Sequence, residues 1–228
     1  MQRRALIVDD EAHTCEMIQR ILYAAGVDAL TLTKSTQALG FLGEGKFDML
    51  FFDLHMSSPD GIELTREARN GSANRGTPIV MLSDDQRPSA LAEGFAAGAS
   101  FFLYKPINKS RLLRLVRATQ QQAGIERRQT RRVLLHSKVL LRCGSEELIC
   151  DVVDVSLNGV LVRAPRVFPV GSPVHISMGL ARHSRPLMGG GSVARIAAPN
   201  QMGIALDHLP IEESERLQEF LLPMLPRD

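Results

Sequence analysis

The sequence predicts an α/β doubly wound sheet of five parallel strands, followed by a small six-stranded antiparallel β-barrel with a C-terminal helix. Three observations carry this expectation. Over residues 1–122, short near-continuous apolar runs alternate with stretches of helical spacing, the pattern of strands covered on both faces by helices. Beyond Val133 the apolar period falls to two, and the segments between runs are too short for helices. Between the two patterns lies Glu126-Arg127-Arg128-Gln129-Thr130-Arg131-Arg132-Val133, an arginine-rich junction. The expected domains are residues 1–122 and 123–228.

Either half is long enough to bury its own core, and 44% hydrophobic with 23% charged residues is an ordinary globular composition. No apolar run approaches the roughly eighteen residues that span a bilayer, and Met1-Gln2-Arg3-Arg4 leads straight into a strand-like run, so a cytoplasmic protein is expected. Cys15, Cys143 and Cys150 have no metal-site spacing and an odd count, which reads as reduced structural thiols. The net charge of +2 is concentrated in the second half before its acidic end at Glu212, Glu213, Glu215 and Glu219. Such a patch suits a small anion at least as well as a nucleic-acid backbone.

In order, the first half offers strands at Ala5 to Val8, Ala29 to Leu32, Met49 to Phe52, Ile79 to Leu82 and Phe101 to Tyr104, with helical spacing such as Cys15, Ile18, Leu22 between them. Its last helix runs from Ile107 to about Gln122, capped by Asn108 or Ser110, with Leu112, Leu113, Leu115 and Val116 as its apolar side. In parallel sheets the ligand site lies at the carboxyl ends of the strands. Those ends carry Asp9, Asp10 and Glu11, then Asp53, then Ser83, then Lys105 and Pro106. Converging carboxylates repel unless a hard cation of the magnesium type relieves them. With a lysine and a hydroxyl added, the set suits phosphoryl transfer, and Asp53 is its natural oxygen nucleophile.

The second half offers strands at Val139 to Arg142, Leu148 to Val155, Gly159 to Arg163, Val174 to Met178, Gly191 to Ile196 and Met202 to Leu206. Six short antiparallel strands favour a barrel, which leaves no open edge. Gly189 to Gly191 reads as a flexible turn, since no phosphate-loop lysine follows it. Pro210 opens a terminal helix with Leu217, Phe220, Leu221 and Met224 on one side. Within Asp154-Val155-Ser156-Leu157-Asn158-Gly159, the carboxylate and hydroxyl two residues apart share one face, and the glycine permits close approach or positive φ. Spaced guanidinium groups bind phosphate and the guanine edge in two-point fashion, so the junction arginines are a candidate clamp for a guanine nucleotide.

"LIVDDE", "FFDLHM" with Gly61 eight residues past the aspartate, "IVMLS" and "AGASFFLYKP" together resemble the receiver domain of bacterial two-component response regulators over residues 3–122. The resemblance implies that Asp53 accepts a phosphoryl group from a histidine kinase or phosphotransfer protein. It implies that Mg2+ is held by Asp10, Asp53 and the backbone carbonyl of His55, with Asp9 reaching it through water. Lys105 and Ser83 would meet the phosphoryl oxygens, Phe102 would be the switch aromatic, Lys105-Pro106 would be cis, and dimers could form through the fourth and fifth helices. Two positions depart from the family pattern. Ser57 stands where a proline is usual, with Pro59 two residues later, which predicts a reshaped loop beside the nucleophile; Asp84 stands where a small residue is usual, which predicts slowed phosphorylation or slowed loss of the phosphoryl group, and weak labelling by small phosphodonors.

The spacing RxxxR followed by DxSxxG, with "GSVARI" and "MGIALD" later, resembles the PilZ domain over residues 125–222. PilZ domains are receptors for the bacterial second messenger cyclic di-GMP. The resemblance implies that Arg128 and Arg132 grip guanine and phosphate, with Arg127 and Arg131 also meeting the spacing, and that Asp154, Ser156 and Gly159 form the facing surface. The expected protein is a two-input response regulator that acts on a downstream protein partner, in motility, surface attachment or a similar programme. No turnover is expected beyond phosphorylation of Asp53 and loss of that group. One alternative is a DNA-binding response regulator, for which no helix-turn-helix pattern is visible. Another is a receiver joined to an adaptor barrel that binds only protein. His136, His175, His183 and His208 lack a paired nucleophile, which argues against an enzyme.

Overall fold

The computed structural model describes residues 3–85, 87–120, 132–181 and 184–222. The junction residues 121–131, with the expected domain limit, Arg127, Arg128 and Arg131, lie outside the described residues, as do His183 and Met224. The chain divides into two compact units.

The N-terminal part of the chain contains β1 (Arg3–Val8), α1 (Ala12–Ala24), β2 (Val27–Leu32), α2 (Ser35–Glu44), β3 (Met49–Asp53), α3 (Gly61–Asn70), β4 (Ile79–Ser83), α4 (Pro88–Ala97), β5 (Phe101–Tyr104) and α5 (Lys109–Gln120). Its parallel sheet has the order β2-β1-β3-β4-β5, as the alternating pattern predicts. The central strands are apolar throughout because helices cover both faces: Leu6, Ile7, Leu50, Phe51, Phe52, Ile79, Val80 and Met81 are fully buried. The reversal of strand order between β1 and β3 opens a crevice at their carboxyl ends. Asp60 begins α3 through a capping box, accepting from the Glu63 amide (2.8 Å) while the Glu63 side chain accepts from the Asp60 amide (2.9 Å). Asn108 caps α5, accepting from the Arg111 amide at 3.1 Å. Ser58-Pro59 and Lys105-Pro106 are both cis.

The second unit contains β6 (Val133–Leu134), β7 (Lys138–Cys143), β8 (Glu146–Ser156), β9 (Gly159–Arg163), β10 (Pro173–Met178), β11 (Leu187–Ala198), β12 (Gln201–His208) and α6 (Ile211–Leu221). The order β8-β7-β10-β11-β12-β9 closes through a β8–β9 pairing into a six-stranded antiparallel barrel, and β6 adds to β8 outside the ring. Alternate residues point inward, among them Val139, Leu141, Val160, Val162, Ile176 and Ile204, and Leu217 and Leu221 of α6 join the same core. One expectation needs correction. Gly189 to Gly191 is not a turn but part of β11. A Cβ at Gly191 would lie 2.1 Å from the Ala205 carbonyl oxygen, and one at Gly189 would lie 2.4 Å from Leu209 Cδ2. These glycines let β11 approach β12 and the segment after it.

Candidate functional site

At the carboxyl edge of the first sheet, each charged group follows from where an apolar strand ends. The last residue of β3 is Asp53, Asp9 and Asp10 follow β1, and Lys105 follows β5. Lys105 Nζ lies 3.0 Å from Asp9 Oδ2, 3.2 Å from Asp53 Oδ2 and 3.3 Å from Glu11 Oε2. Asp9 and Asp53 are buried, whereas Asp10 is exposed. Oxygens of Asp9, Asp10 and Asp53 fall within 4.8 Å of one another. Asp9 Oδ2 is buried, with the Lys105 ammonium beside it as its ion-pair partner. Three carboxylates converging at one sheet edge, with that ammonium against them, are a hard-oxygen donor set that fits a divalent cation of the magnesium type.

Burial, and then the neighbouring Asp9 charge, push the Asp53 carboxyl up to about 6, with Lys105 opposing. Burial also raises Asp9, against the Glu11 amide that donates to it at 2.9 Å. For Lys105, burial alone acts downward, but the surrounding carboxylates outweigh it and hold the ammonium protonated. At neutral pH Asp53 is therefore ionised in spite of its burial, held by one permanent cation.

Glu11 has partners that its place in the sequence does not reveal. Its carboxylate accepts from the Thr14 hydroxyl at 2.9 Å and contacts Lys105, and these two contacts, in that order, lower it. Asp85 was not anticipated either. Its amide donates to the Ser83 hydroxyl oxygen at 2.9 Å, and its carboxylate pairs with His55 Nε2 at 3.0 Å. No periodic signal marks such a loop residue. Phe102 is buried and lies against Phe95, with ring centroids 5.1 Å apart. It fills space left by Gly94, where a Cβ would meet the Phe102 ring at 2.4 Å.

In the second unit the DxSxxG segment is the β8–β9 hairpin. Asp154 lies just past an irregularity in the ladder between Val152 and Asp154, and its Oδ1 pairs with Arg132 on the barrel exterior. Ser156 is buried, and its hydroxyl donates to the Gly159 carbonyl at 3.2 Å. Gly159 is not among the glycines with positive φ. It serves close approach, since a Cβ there would lie 2.7 Å from the Ile204 carbonyl oxygen. The structure thus brings Arg132 and Asp154 together at the surface, while Ser156 and Gly159 are buried in the hairpin beneath.

Residues 5–117 match the response regulator receiver domain family, and residues 126–222 match the PilZ domain family. The first half is similar to the sensory/regulatory protein RpfC of Xanthomonas campestris pv. campestris, 35% identical over 112 residues that cover 48% of this chain and 15% of that protein. It is also similar to the DNA-binding response regulator MtrA of Mycobacterium tuberculosis, 34% identical over 118 residues, 52% of this chain and 50% of that one. The chain spans about half or less of the length of these relatives. Among solved structures, the chemotaxis protein CheY4 of Vibrio cholerae is similar at 30% identity and TM-score 0.50, covering 52% of this chain and 99% of that one.

Proposed function

We infer, from a chain that belongs over residues 5–117 to the response regulator receiver domain family and over residues 126–222 to the PilZ domain family, that the protein is a two-input response regulator. In this reading Asp53 takes a phosphoryl group from a histidine kinase or phosphotransfer protein, and the barrel binds cyclic di-GMP. Both inputs act on a downstream protein in the cytoplasm. The observation that carries the reading is the buried Asp53 carboxylate, 3.2 Å from Lys105 and beside Asp9 and Asp10 at the carboxyl edge of a five-stranded parallel sheet.

An Asp53 carboxylate oxygen attacks the phosphorus of a phosphohistidine. The P–O bond forms as the P–N bond breaks, and the imidazole leaves with a proton. Lys105 pairs with one equatorial oxygen, and the Ser83 hydroxyl donates to another. A divalent cation held by Asp10, Asp53 and the His55 carbonyl, with Asp9 through water, would supply further charge neutralisation. Burial of Phe102 couples the edge to the surface of α4, since its ring occupies the space at Gly94. In the barrel, Arg128 and Arg132, with Arg127 and Arg131 beside them, grip guanine and phosphate, and Asp154 accepts from the guanine edge. Ser156 and Gly159 hold the hairpin in the shape that presents Asp154.

Labelling by a small phosphodonor with Mg2+ present tests the receiver reading. One phosphoryl group per chain is expected, lost in Asp53→Asn and faster in Asp84→Ala. Equal labelling of wild type and Asp53→Asn would refute the site. Equal rates in wild type and Asp84→Ala would refute a retarding role for Asp84.

A further inference from the structure

We propose that the outer face of the β7–β8 ladder is a self-association surface, and that its partner is the same face of a second copy of this chain. In this ladder Val139, Leu141, Leu148 and Cys150 point into the barrel. The outward positions form three cross-strand pairs: Arg142↔Glu147, Leu140↔Ile149 and Lys138↔Asp151. The middle pair is apolar where a solvent-facing strand is expected to be polar, and Ile149 is 67% exposed. On the same cross-strand line the polar Ser177 follows Leu140, and beyond it lies Met188, itself 51% exposed. An ion pair borders the apolar pair on either side, Arg142 with Glu147 at 2.6 Å and Lys138 with Asp151 at 2.5 Å. An apolar centre between charged margins is the layout of a docking patch.

The signs of the charges identify the occupant. Both cations, Arg142 and Lys138, are on β7, and both anions, Glu147 and Asp151, are on β8. The face is therefore a positive column beside a negative one. If a second copy faces it about a two-fold axis parallel to the strands, each positive column meets a negative column, and Ile149 meets Leu140 of the partner. A two-fold axis across the strands would instead oppose like charges. The pattern is self-complementary in one orientation and repulsive in the other, and it keeps the two sheets aligned as packed sheets are. Two apolar side chains and two ion pairs are few against the roughly 20–30 residues a side of a standard interface, so the association is weak and is read at high protein concentration.

Sedimentation of the full-length protein over a range from low micromolar to several hundred micromolar tests this. The wild type is expected to shift from monomer to dimer. Ile149→Asp is expected to lower the association constant at least tenfold with an unchanged melting temperature. A Lys138→Glu, Arg142→Glu variant and a Glu147→Lys, Asp151→Lys variant are each expected to stay monomeric alone and to form a one-to-one heterodimer when mixed. A wild type that remains monomeric throughout would overturn the proposal. So would an Ile149→Asp variant that dimerises like wild type, or a mixture no more associated than its components.

Discussion

Gly61 lies eight residues beyond Asp53, and the reason for that spacing is steric: a Cβ at Gly61 would stand 2.2 Å from the Asp53 carbonyl oxygen. Gly61→Ala is expected to displace the end of β3, to cost about 1–3 kcal/mol by denaturant unfolding, and to slow labelling of Asp53. Stability unchanged within error would contradict this account of the glycine. The Asp53 carboxyl itself opposes folding at neutral pH. It is pushed from an ordinary 3.8 up to about 6, so the folded chain holds this proton more tightly than the unfolded chain. Its contribution to stability is fully present below 3.8 and is lost as pH rises through about 6. With divalent cations chelated, Asp53→Asn is expected to be more stable than wild type at pH 7.5, by about 3 kcal/mol, and to approach it near pH 4. A constant difference across that range in urea unfolding would contradict the linkage.

At the scale of elements, the sequence was legible where burial is uniform. Apolar runs located all five parallel strands because each is covered on both faces, and β5 needed no change of limits. The barrel strands were found by their period of two, but the apolar runs stopped short of their ends: β11 extends from Leu187 to Ala198 around a core detected only at Gly191 to Ile196. The error at Gly189 to Gly191 has the same root, because sequence alone does not distinguish a glycine that bends the chain from one that admits a neighbouring backbone. β6 has two residues and therefore no period to detect. In the candidate site, the strand-end carboxylates and Lys105 were legible, whereas Asp85 and the Glu11–Thr14 contact depend on loop geometry. The α3 cap provides an element-level prediction. Asp60→Ala removes the half of the capping box that its side chain makes, leaving the Glu63 amide without that acceptor while the amide of residue 60 can still donate to the Glu63 side chain; it is expected to cost about 1 kcal/mol in unfolding experiments, with the far-ultraviolet spectrum unchanged. No loss of stability would show that the box contributes nothing there.

At the scale of the whole molecule, two units lie on one chain, one with a cluster of carboxylates and a lysine at its sheet edge and the other with an Arg132–Asp154 surface pair. If they work as one switch, a ligand at either must change affinity at the other by the same factor. A beryllium fluoride mimic on Asp53 is therefore expected to change the affinity for cyclic di-GMP, whereas superimposable isotherms would mean two independent modules. The most direct test of the two-input account is calorimetric titration of cyclic di-GMP into the full-length protein, alongside a folded Arg128→Ala, Arg132→Ala variant. The account predicts saturable binding at micromolar affinity or tighter, roughly −8 kcal/mol or better, that is abolished in the variant. Absence of binding heat in the wild type, or equal binding in both proteins, would contradict it.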